Sequence, residues 1–433
     1  MRKQKFFLFF LGSSIVTCGI SISLSQTFLF LSFLFFWSIP EKRQISKTPL
    51  LWSGLAIFGT YFLSFLVHSS NEFHSWKVFF SKQSEFKDFL LFSAFLVAHN
   101  LSSEEIKKVK FAFYGLVGIL IFTGFISIFS KVRLAVLLSE FFRNVSYWRF
   151  THHYGDILGI GIHLPIGLMN THLTFGGLLM LFAPLVFFEI LEIFKTTKNT
   201  INKIFLIILG LMFILVFFLN NARSAIFGAG ISIIFGLYDY GFVKKQIDPK
   251  KFLKVIAFSL GIIIISFSLF MSFEPTSKVI LPLLGSEKHT DSGRTFIWDS
   301  TFPLIQKNFL FGVMPGMYNT EIEKTRFLHS EKYPELAFFY EVTQRGHAHN
   351  DVLHLFAISG VGAVLAFLTL FFFIGQTILE KISPKNTNFF YGLIGFFFAG
   401  LLQCYFQDDE VVIVFWFLVG LLNSVGFSQV KKI

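Results

Sequence analysis

A run of ionisable and amide side chains stands between a long polar segment and an apolar stretch near the carboxyl-terminal end of the chain. The run reads Arg345-Gly-His-Ala-His-Asn-Asp-Val-Leu353. His347 and His349 can each accept a proton near neutral pH, and Asn350 and Asp351 can orient an imidazole or hold a hydroxyl. This combination is typical of proton transfer at the edge of a membrane.

The surrounding chain has the composition of an integral membrane protein. Of its 433 residues, 54% are apolar and only 15% are charged, and the mean hydropathy is +0.65. Apolar runs of the length needed to cross the hydrocarbon, about 20 residues, recur from one end of the chain to the other. Because these runs lack the alternation of barrel strands, they predict an all-α fold.

The hydropathy pattern predicts about twelve transmembrane helices. The predicted spans are 6–23, 26–40, 49–68, 86–99, 109–130, 174–194, 202–219, 223–240, 252–272, 352–377, 387–404 and 410–428. The segment between the ninth and tenth spans is too long for a simple connection. We expect a large helical loop there, with one helix near residues 294–306 and a small core. Its core candidates include Phe302, Leu304, Tyr318, Phe338 and Tyr340.

The predicted spans divide the chain into three parts that act as one functional domain. These parts are an amino-terminal bundle over 1–271, the loop over 272–350 and carboxyl-terminal helices over 351–433. Lys and Arg follow the positive-inside rule if both termini are cytoplasmic, because more than half of the 37 basic residues then fall in short cytoplasmic segments. The loop and His349 are thereby predicted on the outer face.

The net charge of +11 is therefore mostly a property of the membrane topology. Nucleic-acid binding would need a basic face on one polar domain, and the sequence gives no indication of one. Cys18 and Cys404 both fall inside predicted spans, so we expect no disulfide framework.

Two arginines stand where a charge near the membrane is energetically expensive. Arg223 lies in Asn-Asn-Ala-Arg-Ser-Ala, where two predicted spans meet with almost no loop, and Arg294 begins the predicted loop helix. A guanidinium binds phosphate oxygens bidentately and stays charged at any relevant pH, which suits a lipid-borne diphosphate. Arg223 is also compatible with an interfacial anchor, and Arg294 with an ion pair to Asp291 or Asp299.

The histidine motif is open to other interpretations. His347, His349 and Asp351 could form a metal site, although three weak ligands on neighbouring residues make a poor one. His349 could also simply pack at the start of a helix that Asn350 or Asp351 caps. The first outer loop, Ser-Leu-Ser-Gln, lacks the paired carboxylates of a metal motif, and we expect no metal and no other cofactor.

Several further residues are weaker candidates for the site. They are Arg345, His347, Asn350, His172, Trp298 and the acidic run 408–410. The outer segment 131–173, which contains His152, His153 and His163, is expected to lie along the membrane interface as short amphipathic pieces.

Together these motifs resemble those of the O-antigen ligase and polymerase superfamily of bacterial envelopes. The shared features, in the same order, are Asn-Asn-Ala-Arg-Ser-Ala, then Ser-Gly-Arg-Thr-Phe-Ile-Trp with Leu-Phe-Gly-Val-Met-Pro-Gly, then His-Ala-His-Asn-Asp-Val-Leu. The resemblance is strong from residue 205 to the carboxyl terminus and rests on hydropathy alone before it.

The resemblance implies a metal-independent glycosyltransferase of the GT-C class in the bacterial inner membrane, with its active site facing the periplasm. The donor would be a glycan on undecaprenyl diphosphate, and the acceptor the lipid A core or another glycan in lipopolysaccharide biosynthesis. By resemblance, His349 would be the general base for the acceptor hydroxyl, and Arg223 and Arg294 would bind the donor diphosphate.

Related reactions remain open. A polymerase of the same superfamily, or a protein O-oligosaccharyltransferase, would carry the same residues. Such polymerases often have an Arg, ten residues and then a Gly in two outer loops, whereas this spacing occurs here from Arg43 to Gly54 on the predicted cytoplasmic side, which favours a ligase. A transporter or flippase of a lipid-linked saccharide is the alternative from another class, and it should show midplane charges or broken helices in corresponding halves.

Overall fold

A computed structural model describes residues 2–69, 73–140, 149–196, 199–244 and 293–430, which are mainly helical. The helices of the first half are α1 Arg2–Thr17, α2 Ile22–Ser38, α3 Pro49–His68, α4 Phe73–Phe79, α5 Asp88–Leu91, α6 Ser93–Ala98, α7 Ser103–Ile128, α8 Leu134–Glu140, α9 His172–Thr196, α10 Thr200–Asn220 and α11 Arg223–Tyr238. A hairpin of β1 His153–Ile157 and β2 Ile160–His163 precedes α9. Beyond residue 292 follow α12 Arg294–Lys307, α13 Tyr318–Lys332, α14 Ala337–Val342, α15 Asp351–Lys381, α16 Pro384–Thr387, α17 Tyr391–Gly400 and α18 Asp409–Val430.

Among the described residues, seven helices are long and apolar enough to cross a membrane. They are α3, α7, α9, α10, α11 (with the π-helical turn that follows it), α15 and α18. Each coincides with a predicted span, so the prediction of a polytopic helical membrane protein is confirmed. The first two predicted spans correspond to α1 and α2, which have 16 and 17 residues. The ninth predicted span, 252–272, lies outside the described residues.

Two predicted spans are shorter than expected. Residues 86–99 form the two short helices α5 and α6, which meet at Phe92, and residues 387–404 contain the ten-residue helix α17. At 1.5 Å per residue, a helix of this length covers about 15 Å, roughly half of the hydrocarbon thickness. Apolar composition predicted full crossings here, but α5 begins only at Asp88 and α17 ends at Gly400, before Gln403.

The helix α18 forms the centre of the bundle. Every side chain from 411 to 419 is fully buried, as expected for a helix that is apolar on all faces. Small residues let the surrounding helices approach one another closely. A Cβ at Gly395 in α17, for example, would lie only 2.6 Å from the carbonyl oxygen of Gly228 in α11.

The helix α15 is broken at Gly360, where φ is +73°. The tenth predicted span, 352–377, is therefore two helical pieces, and the backbone of residues 309–314, in the predicted loop 272–350, pairs with the break. The hydrogen-bonded pairs, donor N–H first, are Val313 with Ala357 (2.8 Å), Met314 with Ile358 (3.0 Å) and Val361 with Phe309 (3.0 Å). Non-helical backbone near membrane depth is tolerated when the protein supplies such partners.

Gly312 allows the backbone of residues 309–314 to lie against the break in α15. Its φ is +66°, and a Cβ there would overlap the backbone of Ile358 and Ser359. We expect Gly312→Ala to destabilise the protein by about 3 kcal/mol, because it combines a left-handed backbone with overpacking. Thermal melting of the detergent-solubilised protein measures the effect. The control is Gly230→Ala in α11, because a Cβ at Gly230 would meet open space. Equal melting temperatures of the two variants would contradict the close approach of Gly312 to α15.

The outer segment 131–173 differs from the expected amphipathic pieces, because β1 and β2 form a hairpin within it. Leu158 and Gly159 at its tip both have positive φ, +52° and +80°, which is the backbone of a tight two-residue hairpin turn. The hydroxyl of Tyr154 donates to the carbonyl of Leu219 at the end of α10 (2.8 Å). The hairpin is therefore attached next to the helix junction that carries Arg223.

The loop helix predicted near 294–306 is confirmed as α12. The predicted loop core is right for Leu304, Tyr318 and Tyr340, which are buried, and wrong for Phe302 and Phe338, which are 48% and 66% exposed. The short helices of the loop have only one covered face, and residue type alone does not say which face that is.

Candidate functional site

His349 lies in the short connection between α14 and α15. Its backbone has φ +50°, a left-handed conformation that residues other than glycine seldom adopt. The ring Nδ1 lies 2.6 Å from Oε1 of Gln403. Because a carbonyl oxygen only accepts hydrogen bonds, Nδ1 carries the proton and Nε2 carries the lone pair. When the ring is neutral, Nε2 is therefore the atom that can accept a proton.

Two side chains fix the backbone on either side of His349. Asn350 caps α15 through a hydrogen bond from the N–H of Leu353 to its Oδ1 (3.0 Å), which confirms the predicted cap. Its Nδ2 donates to the carbonyl of Leu401 (2.8 Å). On the other side, Nε1 of Trp298 in α12 donates to the carbonyl that directly precedes His349 (2.9 Å). The base candidate is thus positioned by three separate parts of the chain.

The environment keeps both histidines of the motif neutral near pH 7. Burial lowers the pKa of His349; the hydrogen bond with Gln403 opposes this, and the positive charge of Arg294 adds to it. Burial lowers the pKa of His347 to about 3. Their ring centroids are 4.4 Å apart, so protonation of one ring disfavours protonation of the other. His349 is therefore available as a base at neutral pH.

The two predicted arginines each begin a helix. Arg294 is the first residue of α12, and its positive charge lowers the pKa of His349 and opposes the rise that burial causes in the pKa of Tyr405. Arg223 is the first residue of α11 and is exposed. The hydroxyl of the adjacent Ser224 lies 2.9 Å from the hydroxyl of Tyr405. Tyr405 therefore connects the helix start that carries Arg223 with the surroundings of His349.

Helix starts with arginine side chains are suited to anions. The first N–H groups of a helix point at a bound anion, and the helix dipole favours negative charge there. A guanidinium at the same position adds paired donors that match phosphate oxygens. The beginnings of α11 and α12 can therefore each hold a phosphate group.

The turn between α17 and α18, residues 401–408, belongs to the site. Only its last residue, Asp408, was among the candidates from the sequence. The turn supplies Gln403 and Tyr405, and the N–H of Phe406 donates to Oδ1 of the buried Asp351 (3.0 Å). The available signal was the presence of polar side chains in the apolar run Leu-Leu-Gln-Cys-Tyr-Phe-Gln-Asp. The predicted span 387–404 had placed Gln403 inside a helix.

The acidic run 408–410 adjoins this turn. Burial raises the pKa of Asp408 to about 7; the charge of Glu410 adds to the rise, and a hydrogen bond with Thr174 opposes it. Thr174 lies in the first turn of α9, which His172 begins. Asp408 and His172 are therefore at the same edge of the bundle, and Asp408 is an acid that titrates near neutral pH.

The remaining candidates lie close by with partners of their own. Nε of Arg345 is 3.8 Å from a carboxylate oxygen of Glu323, and Nδ1 of His347 accepts the backbone N–H of His349 (3.2 Å). In the part of the chain that the structure describes, no group of three or more His, Cys, Asp or Glu side chains is placed to hold a metal ion. The metal interpretation of His347, His349 and Asp351 thus has no geometric support there.

The chain is a polytopic helical membrane protein in which the turn 401–408 contacts both His349, through Gln403, and the start of α11, through Tyr405. Residues 205–368 match the model of the O-antigen ligase family. The match covers less than half of the chain and includes Arg223, Arg294 and His349, but it ends before Gln403 and Tyr405. No match was found among curated proteins.

Proposed function

We propose that the protein is an O-antigen ligase-type glycosyltransferase, which moves a glycan from undecaprenyl diphosphate to a hydroxyl of the lipid A core. The family domain supports the reaction class. The observation that carries the proposal is the contact between Nδ1 of His349 and Oε1 of Gln403 (2.6 Å), because it leaves Nε2 as the atom that takes a proton. Burial keeps this atom unprotonated at neutral pH.

In the proposed reaction, Nε2 of His349 removes the proton of the acceptor hydroxyl as the hydroxyl oxygen attacks the anomeric carbon of the donor sugar. A glycosidic C–O bond forms, and the bond from the same carbon to the diphosphate oxygen breaks. The electron pair of that bond leaves with undecaprenyl diphosphate, and the proton passes from His349 to water. A positioned base contributes roughly 10²- to 10⁴-fold to such a step.

The leaving diphosphate gains negative charge as its bond to the sugar breaks. We assign Arg223 and Arg294 to its phosphate oxygens, because donors placed where charge develops stabilise the transition state. Each arginine is the first residue of a helix, so the backbone N–H groups of the first helical turn can also donate to the phosphate. Two guanidinium groups neutralise the leaving group, so the proposal contains no metal-dependent step.

We further propose about twelve spans in a GT-C-like arrangement, with both termini in the cytoplasm and the site on the periplasmic face of the bacterial inner membrane. The parts 1–271, 272–350 and 351–433 act as one functional domain in this proposal. Contacts within each predicted face support it. Gln4 donates to Glu105 on the predicted cytoplasmic face (3.1 Å), and the N–H of Gly316 donates to Glu85 on the outer face (2.6 Å).

Deletion of the gene followed by gel analysis of the surface polysaccharide tests the proposed reaction. A lipid A core without polymer, together with unligated polymer on the lipid carrier, supports a ligase. One repeat per core would instead indicate a polymerase, and loss of protein-bound glycan alone an O-oligosaccharyltransferase. Lipid-linked glycan trapped on the cytoplasmic face would indicate a flippase.

Gln403 is expected to set both the rate and the pH dependence of transfer. Gln403→Leu should lower kcat roughly 10- to 100-fold, because the ring of His349 loses the partner that fixes its tautomer. The hydrogen bond raises the pKa of His349, so its loss should move the acidic limb of the kcat/KM profile to lower pH. Gln403→Glu should move the limb to higher pH, because a carboxylate stabilises the imidazolium. Gln306→Leu, at an exposed position of α12, is the control. Acidic limbs that stay unmoved in both Gln403 variants would show that Gln403 has a purely structural role.

A further inference from the structure

A cavity of about 970 Å³ opens far from the candidate site. Its walls come from the first turn of α1, residues 38–46, residues 99–105 and Ser424 of α18. Ser424 is separated from Asp409, at the site end of the same helix, by about 22 Å of helix. The proposed glycan transfer makes no use of this cavity.

The cavity has an excess of positive charge. Its charged lining residues are Arg2, Lys3, Lys42, Arg43, Glu41 and Glu105. Glu105 is neutralised within the wall, since Nζ of the buried Lys42 lies 2.5 Å from its Oε2. The N–H of Ser102 and the amide of Gln4 also donate to this carboxylate. Apart from this ion pair, the cavity is lined by three basic residues and one acidic residue, Glu41. The excess of positive charge favours an anion as the ligand.

The basic residues of the cavity adjoin exposed apolar side chains. Nε of Arg43 donates to the carbonyl of Trp37 (2.6 Å), and the guanidinium of Arg2 lies 6.0 Å from the ring centroid of Phe6. The side chains of Trp37 and Phe6 are 42% and 41% exposed. Tryptophan is enriched at the level of lipid headgroups. A ligand with a phosphate and hydrocarbon chains would satisfy both surfaces at once.

We propose that this cavity binds the phosphate-bearing headgroup of an anionic membrane lipid from the leaflet on the side of the amino terminus. Arg2, Lys3 and Arg43 contact the phosphate, and the acyl chains begin along Trp37 and Phe6. Basic pockets between helices on the cytoplasmic side of a membrane suit such headgroups. The site is independent of the proposed glycan transfer, so its occupancy is measured without that activity.

Native mass spectrometry of the delipidated full chain with added phosphatidylglycerol tests this proposal. We expect Lys3→Gln/Arg43→Gln to bind the lipid roughly thirty-fold more weakly, because each basic residue beside an anionic headgroup contributes severalfold. The matched control is Lys107→Gln/Lys108→Gln, which removes two exposed charges of α7 on the same predicted face. The control variant should bind like the wild type.

Equal binding by the two double variants would overturn the proposal. Equal affinity for phosphatidylcholine, whose headgroup has no net charge, would overturn it as well. Displacement of the lipid by inorganic phosphate at the same concentration would assign the cavity to a soluble phosphate instead. Melting temperatures of both variants without lipid distinguish weaker binding from unfolding.

Discussion

His349→Ala is expected to abolish detectable glycan transfer while leaving the amount of folded protein in the membrane unchanged. Without the base, the chemical step should slow by roughly 10²- to 10⁴-fold. The structural cost is mainly the hydrogen bond with Gln403, about 1 kcal/mol, which is too small to unfold the chain. Transfer from purified lipid-linked glycan to purified acceptor, with size exclusion of the variant, measures both quantities.

The control for this variant is His152→Ala, which removes an exposed histidine just before β1 and should transfer glycan normally. Full transfer by His349→Ala would eliminate His349 as the base. The wild-type pH profile gives a second check. Burial lowers the pKa of His349 from its usual 6.5, so kcat/KM should persist below pH 6.5 and fall only when the ring becomes protonated.

Arg294→Gln is expected to lower kcat roughly 10²- to 10³-fold, because the leaving diphosphate loses a preorganised positive charge. Arg294→Lys should restore part of this rate, since a lysine keeps the charge but lacks the bidentate fork. The charge of Arg294 also lowers the pKa of His349. Arg294→Gln should therefore raise that pKa and move the acidic limb of the kcat/KM profile to higher pH.

The matched control is Lys307→Gln, which removes an exposed positive charge at the other end of α12. It should leave both the rate and the acidic limb as in the wild type. An Arg294→Gln enzyme with normal kcat would contradict a role at the diphosphate. A change in rate without the shift in pH would show that Arg294 does not act on His349.

Features that depend on local residue order were predictable from the sequence. The spans of α3 and α10 follow from apolar length alone, and α12 follows from the polar break before Arg294 and the helical pattern after it. Asn350 was predictable as a cap because its short side chain precedes an apolar helix. The residue types around His349 are likewise adjacent in the chain, and its role as a base stays a prediction.

Features that depend on contacts between distant residues were not predictable. Gln403 lies 54 positions from His349, and a glutamine at the end of an apolar run carries no local signal of its partner. The break at Gly360 could be predicted only from the pairing of residues 309–314 with the helix backbone, which the local sequence does not indicate. The hairpin was missed because histidines and aromatics along 150–163 suit an interfacial helix as well as two short strands.

The break in α15 has a consequence for how the reacting groups are brought together. The loop that enters it continues from α12, which begins with Arg294, and the broken helix itself begins just after His349. Glu85 adds a second link, since it accepts the N–H of Gly316 and lies 3.0 Å from Nε2 of His354 in α15. His349, the proposed base, and Arg294, the proposed ligand of the diphosphate, thus belong to one rigid frame. Their separation is set when the chain folds, so the entropic cost of aligning them is not incurred again at each turnover.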